Sequence, residues 1–138
     1  MNEKNVLAVI GRIHRRGNKF IEQELKKHDI HGIAPSHGDI LYQLFAREAL
    51  TMNELSRGID KDKSTITALV DKLLRLDYVR REQDQQDGRI FRLSLTPKGR
   101  ELQPVFEAVS ESLLEAVYEE FAPEEKQQLM SLLTKIKL

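Results

Sequence analysis

Hydroxyl-bearing and basic side chains recur along residues 62–75 at spacings that place them on one side of a helix. The apolar residues of the same segment recur at i, i+3, i+4, i+7 and i+8, which leaves the opposite face to polar residues. Serine and threonine hydroxyls can exchange hydrogen bonds with base edges, and lysine and arginine can neutralise phosphates. The residues on this polar face that could bind nucleic acid are Lys63, Ser64, Thr65, Thr67, Ala68, Lys72 and Arg75.

A further cation, Arg89, follows a polar stretch that ends in Asp87-Gly88. Asp-Gly is a hairpin turn signal, and the runs on either side of the stretch alternate as strands do. A hairpin that carries a basic tip can place a cation against phosphates or in a narrow minor groove. A solvated helix face and a plain turn have the same composition, so neither feature indicates nucleic-acid binding alone.

Three histidines upstream raise the question of a metal site. In a loop they could reach one zinc ion with a carboxylate as the fourth ligand, but loop histidines also occur without any ligand role. We predict no metal site and leave metal binding by His28, His31 and His37 open. The chain has no cysteine, and it contains neither a glycine-rich phosphate loop nor a nucleophile motif. We therefore expect no cofactor and no catalytic residue, and a protein that is not an enzyme.

Charge is distributed unevenly, although the 138-residue chain has 22 basic and 22 acidic side chains and no net charge. Residues 51–100 contain eleven basic and eight acidic side chains, a net charge of +3. Residues 101–138 contain three basic and eight acidic side chains, a net charge of −5. The acidic tail thus conceals a basic centre, and this asymmetry favours phosphate binding by the centre.

Periodicity and capping signals predict six helices and one hairpin. The helices span residues 4–28, 36–45, 52–59, 63–77, 97–121 and 123–136, and the strands span 78–83 and 90–96. Ser36 resembles an N-cap, Thr51 opens a capping box with Glu54, and Asp62 can cap the fourth helix. From residue 51 the order is helix, tight turn, helix, hairpin and helix, as in a winged helix-turn-helix, whose second helix enters the major groove.

The resemblance to a known family becomes specific in three segments. Residues 62–74, 84–89 and 93–99 resemble, in order and spacing, the recognition helix, the wing and the wing exit of the MarR family. The resemblance extends over nearly the whole chain. It implies a mainly α fold with a small β-hairpin wing (α+β), that is, a winged helix-turn-helix with a helical dimerisation region. The implied parts are an N-terminal dimerisation helix (1–35), a DNA-binding lobe (36–100) and C-terminal dimerisation helices (101–138), intertwined as one domain.

The resemblance also assigns roles to residues. Asp87-Gly88-Arg89 matches the Asp-x-Arg wing signature of the family, with Arg89 in the minor groove, and in some relatives the wing arginine pairs with the aspartate that stands here at Asp62. Many relatives have arginine at the position of Ala68, so base reading here rests on Ser64, Thr65 and Thr67. The seam of the implied homodimer includes Leu113, Val117, Leu129 and Leu133.

The partners expected on these grounds are double-stranded DNA, a second copy of the chain and a small aromatic or phenolic effector. Positions near such an effector cleft would include Arg16, His37, Tyr42 and Phe45. We expect a cytoplasmic protein without a membrane segment, acting as a ligand-responsive repressor on a pseudo-palindromic operator. The alternative is a winged-helix scaffold for protein–protein contact. The effector, the operator sequence and the sign of regulation stay open.

Overall fold

Seven helices and three short strands follow one another in the predicted winged helix-turn-helix order. The structure is a computed structural model that describes residues 2–138. A 3-10 turn, Glu3–Asn5, leads into α1 (Val6–Lys27), α2 (Pro35–Ala46), β1 (Leu50–Thr51), α3 (Met52–Gly58), α4 (Lys63–Arg75), β2 (Val79–Gln83), β3 (Phe91–Leu95), α5 (Pro97–Arg100), α6 (Leu102–Val117) and α7 (Pro123–Thr134). No helix within residues 2–138 has the length and apolar character that a membrane span requires.

The hairpin belongs to a three-stranded antiparallel sheet in the order β1-β3-β2. Strands β2 and β3 pair from Val79 opposite Leu95 to Gln83 opposite Phe91. The predicted alternation in β3 is confirmed, because Leu93 and Leu95 are buried while Arg92 is exposed. Strand β1 was not predicted from the sequence, since two residues are too few to produce a periodic signal.

The core lies where α2, α3 and α4 pack against one face of this sheet. Aliphatic side chains fill it almost completely, and each contributes about 1.5–3 kcal/mol relative to an exposed position. The side chains with under 2% exposure are Leu25, Ile40, Leu41, Leu44, Leu50, Leu55, Ile66, Leu73 and Leu93. The polar face of α4 is therefore held on a rigid base.

Helix α2 begins differently from the prediction. Ala34, not Ser36, is the N-cap, and Pro35 is the first helical residue. The side chain that closes this helix end is His37, whose Nδ1 accepts the Ala34 N–H at 2.9 Å. Imidazole replaces the expected carboxylate because His37 is buried at this end, whereas Asp39 points outward.

The predicted fifth helix is interrupted, and the last helix is shorter than predicted. The helix that starts at Pro97 stops at Arg100, α6 starts at Leu102, and α6 ends at Val117 rather than Phe121. Helix α7 ends at Thr134 instead of continuing through Ile136, and it contains no buried residue. Within one chain, α7 is therefore peripheral to the core.

Aromatic contacts attach α6 to α2. The rings of Tyr42, Phe45 and Phe106 meet edge to face, with centroids 5.7–5.9 Å apart. The Tyr42 hydroxyl also donates to the Phe106 carbonyl oxygen at 3.1 Å. Helices α2 and α6 are thus fixed to each other by stacking and by a hydrogen bond.

Candidate nucleic-acid interface

The first helix of the motif, α3, begins with the predicted capping box. Glu54 N–H donates to Thr51 Oγ1 at 3.2 Å, and Thr51 N–H donates to Glu54 Oε1 at 3.0 Å. These hydrogen bonds, together with Arg47 at 3.3 Å, hold the pKa of Glu54 below its usual value. The box satisfies N–H groups that the first helical turn leaves without partners.

Asp62 starts the second helix of the motif, α4, as predicted. Its Oδ1 accepts the Thr65 N–H at 2.8 Å and the Ser64 hydroxyl at 2.9 Å. These hydrogen bonds lower the pKa of Asp62. A carboxylate at this end also suits the positive end of the helix dipole. The position where α4 starts is therefore fixed by one side chain.

Helix α4 has one buried face and one outward face. Ile66, Val70 and Leu73 are buried against the core, with exposures of 0–4%. Six of the seven predicted contact residues of this helix are exposed, namely Lys63, Ser64, Thr65, Thr67, Ala68 and Arg75. Most of the face predicted from periodicity is thus on one surface.

Two hydroxyls on this face already donate their hydrogens within the chain. Ser64 Oγ donates to Asp62 Oδ1, and Thr67 Oγ1 donates to the Lys63 carbonyl oxygen at 2.9 Å. Each hydroxyl keeps its acceptor capacity, because one oxygen can donate once and accept further hydrogen bonds. The two side chains can therefore accept hydrogen bonds from amino groups on base edges, such as those of adenine or cytosine.

Lys72 differs from the other predicted contacts because it is half-buried. Its positive charge lies close enough to His37 to help lower the pKa of that imidazole, after burial, which is the larger cause. Because it is half-buried, Lys72 is less available to phosphates than Lys63 or Arg75.

The wing loop is organised by Asp84 rather than by a tight Asp-Gly turn. Asp84 Oδ1 accepts the N–H groups of Gln86 at 2.7 Å and Asp87 at 3.1 Å, and Asp84 Oδ2 accepts from Arg92. Together these bonds lower the pKa of Asp84 to about 2, the Arg92 guanidinium contributing most. Gly88 does not adopt the left-handed backbone that a two-residue Asp-Gly turn would need.

The tip of the wing presents Arg89, whose side chain is 90% exposed. Its Nε and Nη2 each donate to one carboxylate oxygen of Asp87 at 3.1 Å, a bidentate pair. The pairing of some relatives, with the aspartate at position 62, is not the one found here, because Asp62 is occupied as the cap of α4. Asp87 thus orients the guanidinium while leaving it accessible.

The other wing arginines hold the hairpin together. Arg81 stacks over the Phe91 ring with its guanidinium carbon 4.0 Å from the centroid. Arg80 Nε donates to Ser94 Oγ at 3.3 Å and lies 3.5 Å from Glu82. Arg92 is paired with Asp84. These three cations make contacts within the two strands of the hairpin or at their ends, whereas Arg89 lies at the tip and is 90% exposed.

A clasp, defined here as Thr96, Lys98 and Gly99, joins the end of α4 to the start of α5. Thr96 Oγ1 donates to the Asp77 carbonyl oxygen at 2.6 Å, and Lys98 Nζ donates to that of Leu76 at 2.8 Å. A Cβ on Gly99 would lie 1.9 Å from the Tyr78 carbonyl oxygen, so only glycine fits. The exit segment therefore fixes the wing relative to α4.

A cleft of about 290 Å³ lies between α1, α2 and α6. Apolar side chains dominate its wall, including Leu25 and Phe106, and the Tyr42 side chain borders it. Lys61, from the turn before α4, also lines the cleft. Of the four positions named for an effector cleft, only Tyr42 lines it. His37 is buried at its helix cap, and Arg16 and Phe45 are not among the lining residues.

The histidines do not assemble a metal centre within residues 2–138, where no three His, Asp or Glu side chains are arranged to hold an ion. His31 Nε2 lies 3.1 Å from Asp29 Oδ1, and His37 serves as the cap of α2. The sequence did not reveal these separate roles, because proximity along a loop does not determine side-chain direction.

Comparison with known proteins agrees with this geometry. The sequence model of the MarR family matches residues 31–90, the segment that contains α2, α3, α4 and the wing. This part of the chain is similar to the MarR family. The "HTH-type transcriptional regulator SarZ" of Staphylococcus epidermidis is 35% identical over 85 residues, which are 60% of this chain and 55% of that relative. The match therefore spans about half the length of this curated relative.

Solved MarR-type structures extend the similarity to the whole chain. A MarR protein from Peptoclostridium difficile is 26% identical, with a TM-score of 0.84 over 98% of this chain and 86% of that chain. A mutant MarR from E. coli complexed with operator DNA has a TM-score of 0.82 at 19% identity, over 98% of both chains. The predicted fold class is confirmed. The relatives are named as transcriptional regulators, in agreement with the prediction that the protein is not an enzyme.

Proposed function

We propose that this chain is a MarR-type, sequence-specific DNA-binding transcriptional regulator, and more concretely a homodimeric repressor on a pseudo-palindromic operator. The observation that carries the proposal is the exposure of the polar face of α4 together with a basic wing tip. The outward residues of α4, from Lys63 to Arg75, are free of the core, and Arg89 extends from the hairpin with its side chain 90% exposed. The relative that was solved with operator DNA supports the same interpretation.

In this proposal, α4 lies in the major groove and the wing reaches the adjacent minor groove. Lys63 and Arg75 bind phosphates, which set register and affinity. Ser64, Thr65 and Thr67 accept from or contact base edges, and the small side chain of Ala68 allows close approach to the groove floor. Arg89 enters the minor groove, where the negative potential is strongest when the groove is narrow.

The homodimer is supported by apolar side chains exposed at both ends of the chain. Leu7 and Ile13 of α1 are 70% and 58% exposed, and Leu132 of α7 is 60% exposed. Large apolar side chains left this exposed in a single chain favour an interface with a second copy. Of the proposed seam residues, Val117 and Leu133 are exposed, and Leu113 and Leu129 are half-buried. Two-groove binding then requires recognition helices about 34–36 Å apart, one duplex turn.

The cleft between α1, α2 and α6 is the proposed effector site. Aromatic rings at Tyr42 and Phe106 suit a small aromatic or phenolic ligand, and Lys61 can pair with its acidic group. Lys61 immediately precedes Asp62, the cap of α4. A ligand that binds Lys61 therefore acts next to the start of the recognition helix, which gives it a route to alter DNA affinity. As a separate part of the proposal, we place the protein in the cytoplasm, where it can reach DNA.

Selection of bound sequences from a random duplex pool tests the proposed function. We expect enrichment of a two-fold symmetric sequence, and affinity for arbitrary duplex that falls steeply as salt increases. Absence of salt-dependent binding to any duplex would favour the protein-interaction scaffold instead. The proposed effector site is tested by measuring binding to the selected duplex in the presence of benzoate and of phenol, for the wild type and for Lys61→Gln. An acidic ligand should lose its effect in the variant, whereas DNA binding without ligand should persist.

A further inference from the structure

Helices α1 and α6 carry opposite charge over most of their lengths. Residues 4–21 contain five Lys and Arg and no Asp or Glu. Residues 101–125 contain eight Glu and no Lys or Arg. A separation this complete is unusual in a chain with equal numbers of basic and acidic residues, and it lies outside the proposed DNA-binding lobe.

Much of this charge is not paired within the chain. Arg15, Arg16 and Lys19 are exposed, and in the described part of the molecule they form no ion pair. Glu111 and Glu115 are likewise exposed, and they have no cationic partner among residues 2–138. Helices α1 and α6 pack together in one chain, but they do so through other faces.

The unpaired cations adjoin exposed apolar surface on α1. Val6, Ile13 and Phe20 recur every seven residues and share one face of the helix. Ile13 on this face is 58% exposed. Arg16 follows Ile13 by three residues and so lies beside the apolar face, and Lys19 lies one turn after Arg16. We call Arg16 and Lys19 the basic edge.

The unpaired carboxylates occupy an equivalent position on α6. Leu114, three residues after Glu111, is 50% exposed, and Glu115 lies one turn after Glu111. We call Glu111 and Glu115 the acidic edge. Each edge thus borders apolar side chains that are exposed to solvent in a single chain, and the two edges have opposite charge.

We propose that the basic edge of each subunit pairs with the acidic edge of the partner subunit, and that this pairing fixes the register of the homodimer. The inference rests on the homodimer of the proposed function. A second copy is the occupant because the chain itself presents both complementary surfaces. In a two-fold interface each contact occurs twice. The two cations of one subunit therefore meet two carboxylates of the partner on one side of the axis, and the same four charges meet again on the other side.

Charges at an interface rim contribute mainly to register and association rate, and the apolar seam contributes most of the affinity. The pairing also excludes alternatives. A dimer that placed the acidic edges of two α6 helices together would bring at least four carboxylates into contact, which is repulsive. The charge pattern therefore selects one arrangement of helices from several that the apolar surface alone would allow.

Charge reversal tests the pairing in the full-length protein. Arg16→Glu with Lys19→Glu, and separately Glu111→Lys with Glu115→Lys, should each raise the dimer dissociation constant about tenfold, measured by sedimentation equilibrium at low salt. An equimolar mixture of the two variants should form a heterodimer of wild-type affinity, because both contacts in it again join opposite charges. Far-UV circular dichroism checks that each variant is folded.

A matched control reverses two exposed cations outside α1, α6 and α7. Arg57→Glu with Arg100→Glu changes the net charge by the same amount and should leave dimerisation unchanged. The wild-type dissociation constant should rise with salt, a readout that needs no variant. A dissociation constant that does not change with salt, or folded variants that do not form the heterodimer, would overturn the pairing but not the homodimer. A wild-type chain that stays monomeric at micromolar concentration would overturn the proposed homodimer itself.

Discussion

The Arg89 guanidinium is bound in bidentate fashion by the Asp87 carboxylate, with Nε–Oδ1 and Nη2–Oδ2 distances of 3.1 Å. Asp87 Oδ1 also accepts the Arg89 N–H at 3.0 Å, so three donors of one residue converge on one carboxylate. These bonds lower the pKa of Asp87, which keeps it ionised. The side chain at the wing tip is therefore oriented before any DNA arrives.

Arg89→Ala should weaken binding to every duplex and should flatten its salt dependence. We expect affinity to fall about tenfold, and the slope of log K against log salt to decrease by about one for each phosphate that the wing no longer neutralises. Arg89→Lys is the matched control, because it keeps the charge but removes the planar fork. The lysine variant should retain most of the slope. Unchanged affinity and slope for Arg89→Ala would mean that the wing does not contact DNA.

Thr67→Val should reduce binding to the selected operator and should leave binding to random duplex nearly unchanged. The hydroxyl already donates to the Lys63 carbonyl, so the only hydrogen bond to a base that the variant removes is an accepted one. We expect a cost of about 1 kcal/mol, at the lower end of the range for base contacts. Competition binding with operator and scrambled duplexes measures it. An equal decrease on both duplexes would show that Thr67 supports affinity without reading sequence.

The free energy of unfolding should fall as the pH is lowered through about 6.5. Burial, and then the charge of Lys72, lower the pKa of His37 in the folded state from its ordinary value of 6.5. Between the two values the unfolded chain holds more protons, so stability increases with pH there and levels off below the folded value. Urea unfolding at a series of pH values measures the change.

His37→Asn isolates this contribution. The asparagine Oδ1 can accept the Ala34 N–H in place of Nδ1, but asparagine does not titrate. The dependence of stability on pH near 6.5 should therefore be weaker in the variant, whereas His28→Gln, a change on the surface, should leave it unchanged. If the wild type and His37→Asn have the same profile, the buried histidine is not the source.

Gly99→Ala should destabilise the protein by about 3 kcal/mol. The added Cβ would lie 1.9 Å from a backbone oxygen, that of Tyr78, and neither segment can move without breaking the clasp. Gly17→Ala is the matched control, since a Cβ at that helical position meets nothing within 4 Å. It should stabilise the chain by about 0.5–1 kcal/mol. Thermal unfolding of the two variants distinguishes steric conflict from a general effect of glycine replacement.

The elements that could be predicted are those whose signals are local. The apolar stripe of α4, with Ile66, Val70 and Leu73 on one side, indicated both the helix and its outward face. Thr51 with Glu54 and Asp62 marked helix starts, because a cap depends on residues three apart in sequence. The outward face of α4 and the position of the wing followed from these.

The features that could not be predicted depend on distant or directional contacts. Strand β1 exists only because Leu50 pairs with Leu93, far along the chain. The choice of His37 over Asp39 at the start of α2 depends on which side chain the core buries. Asp84 gave a local hint, since aspartate commonly accepts N–H groups two and three residues on. Its pairing with Arg92 required the hairpin register.

The clasp of Thr96, Lys98 and Gly99 has a consequence for how binding specificity can change. It contacts the backbone carbonyls of Leu76, Asp77 and Tyr78, and the outward side chains of α4 and of the wing tip take no part in these contacts. The outward side chains of residues 63–75 and of the wing tip can therefore be replaced while the contacts that hold α4 and the wing in place stay the same. An exchange of only the outward residues for those of a relative should redirect the protein to that relative's DNA sequence and preserve its melting temperature.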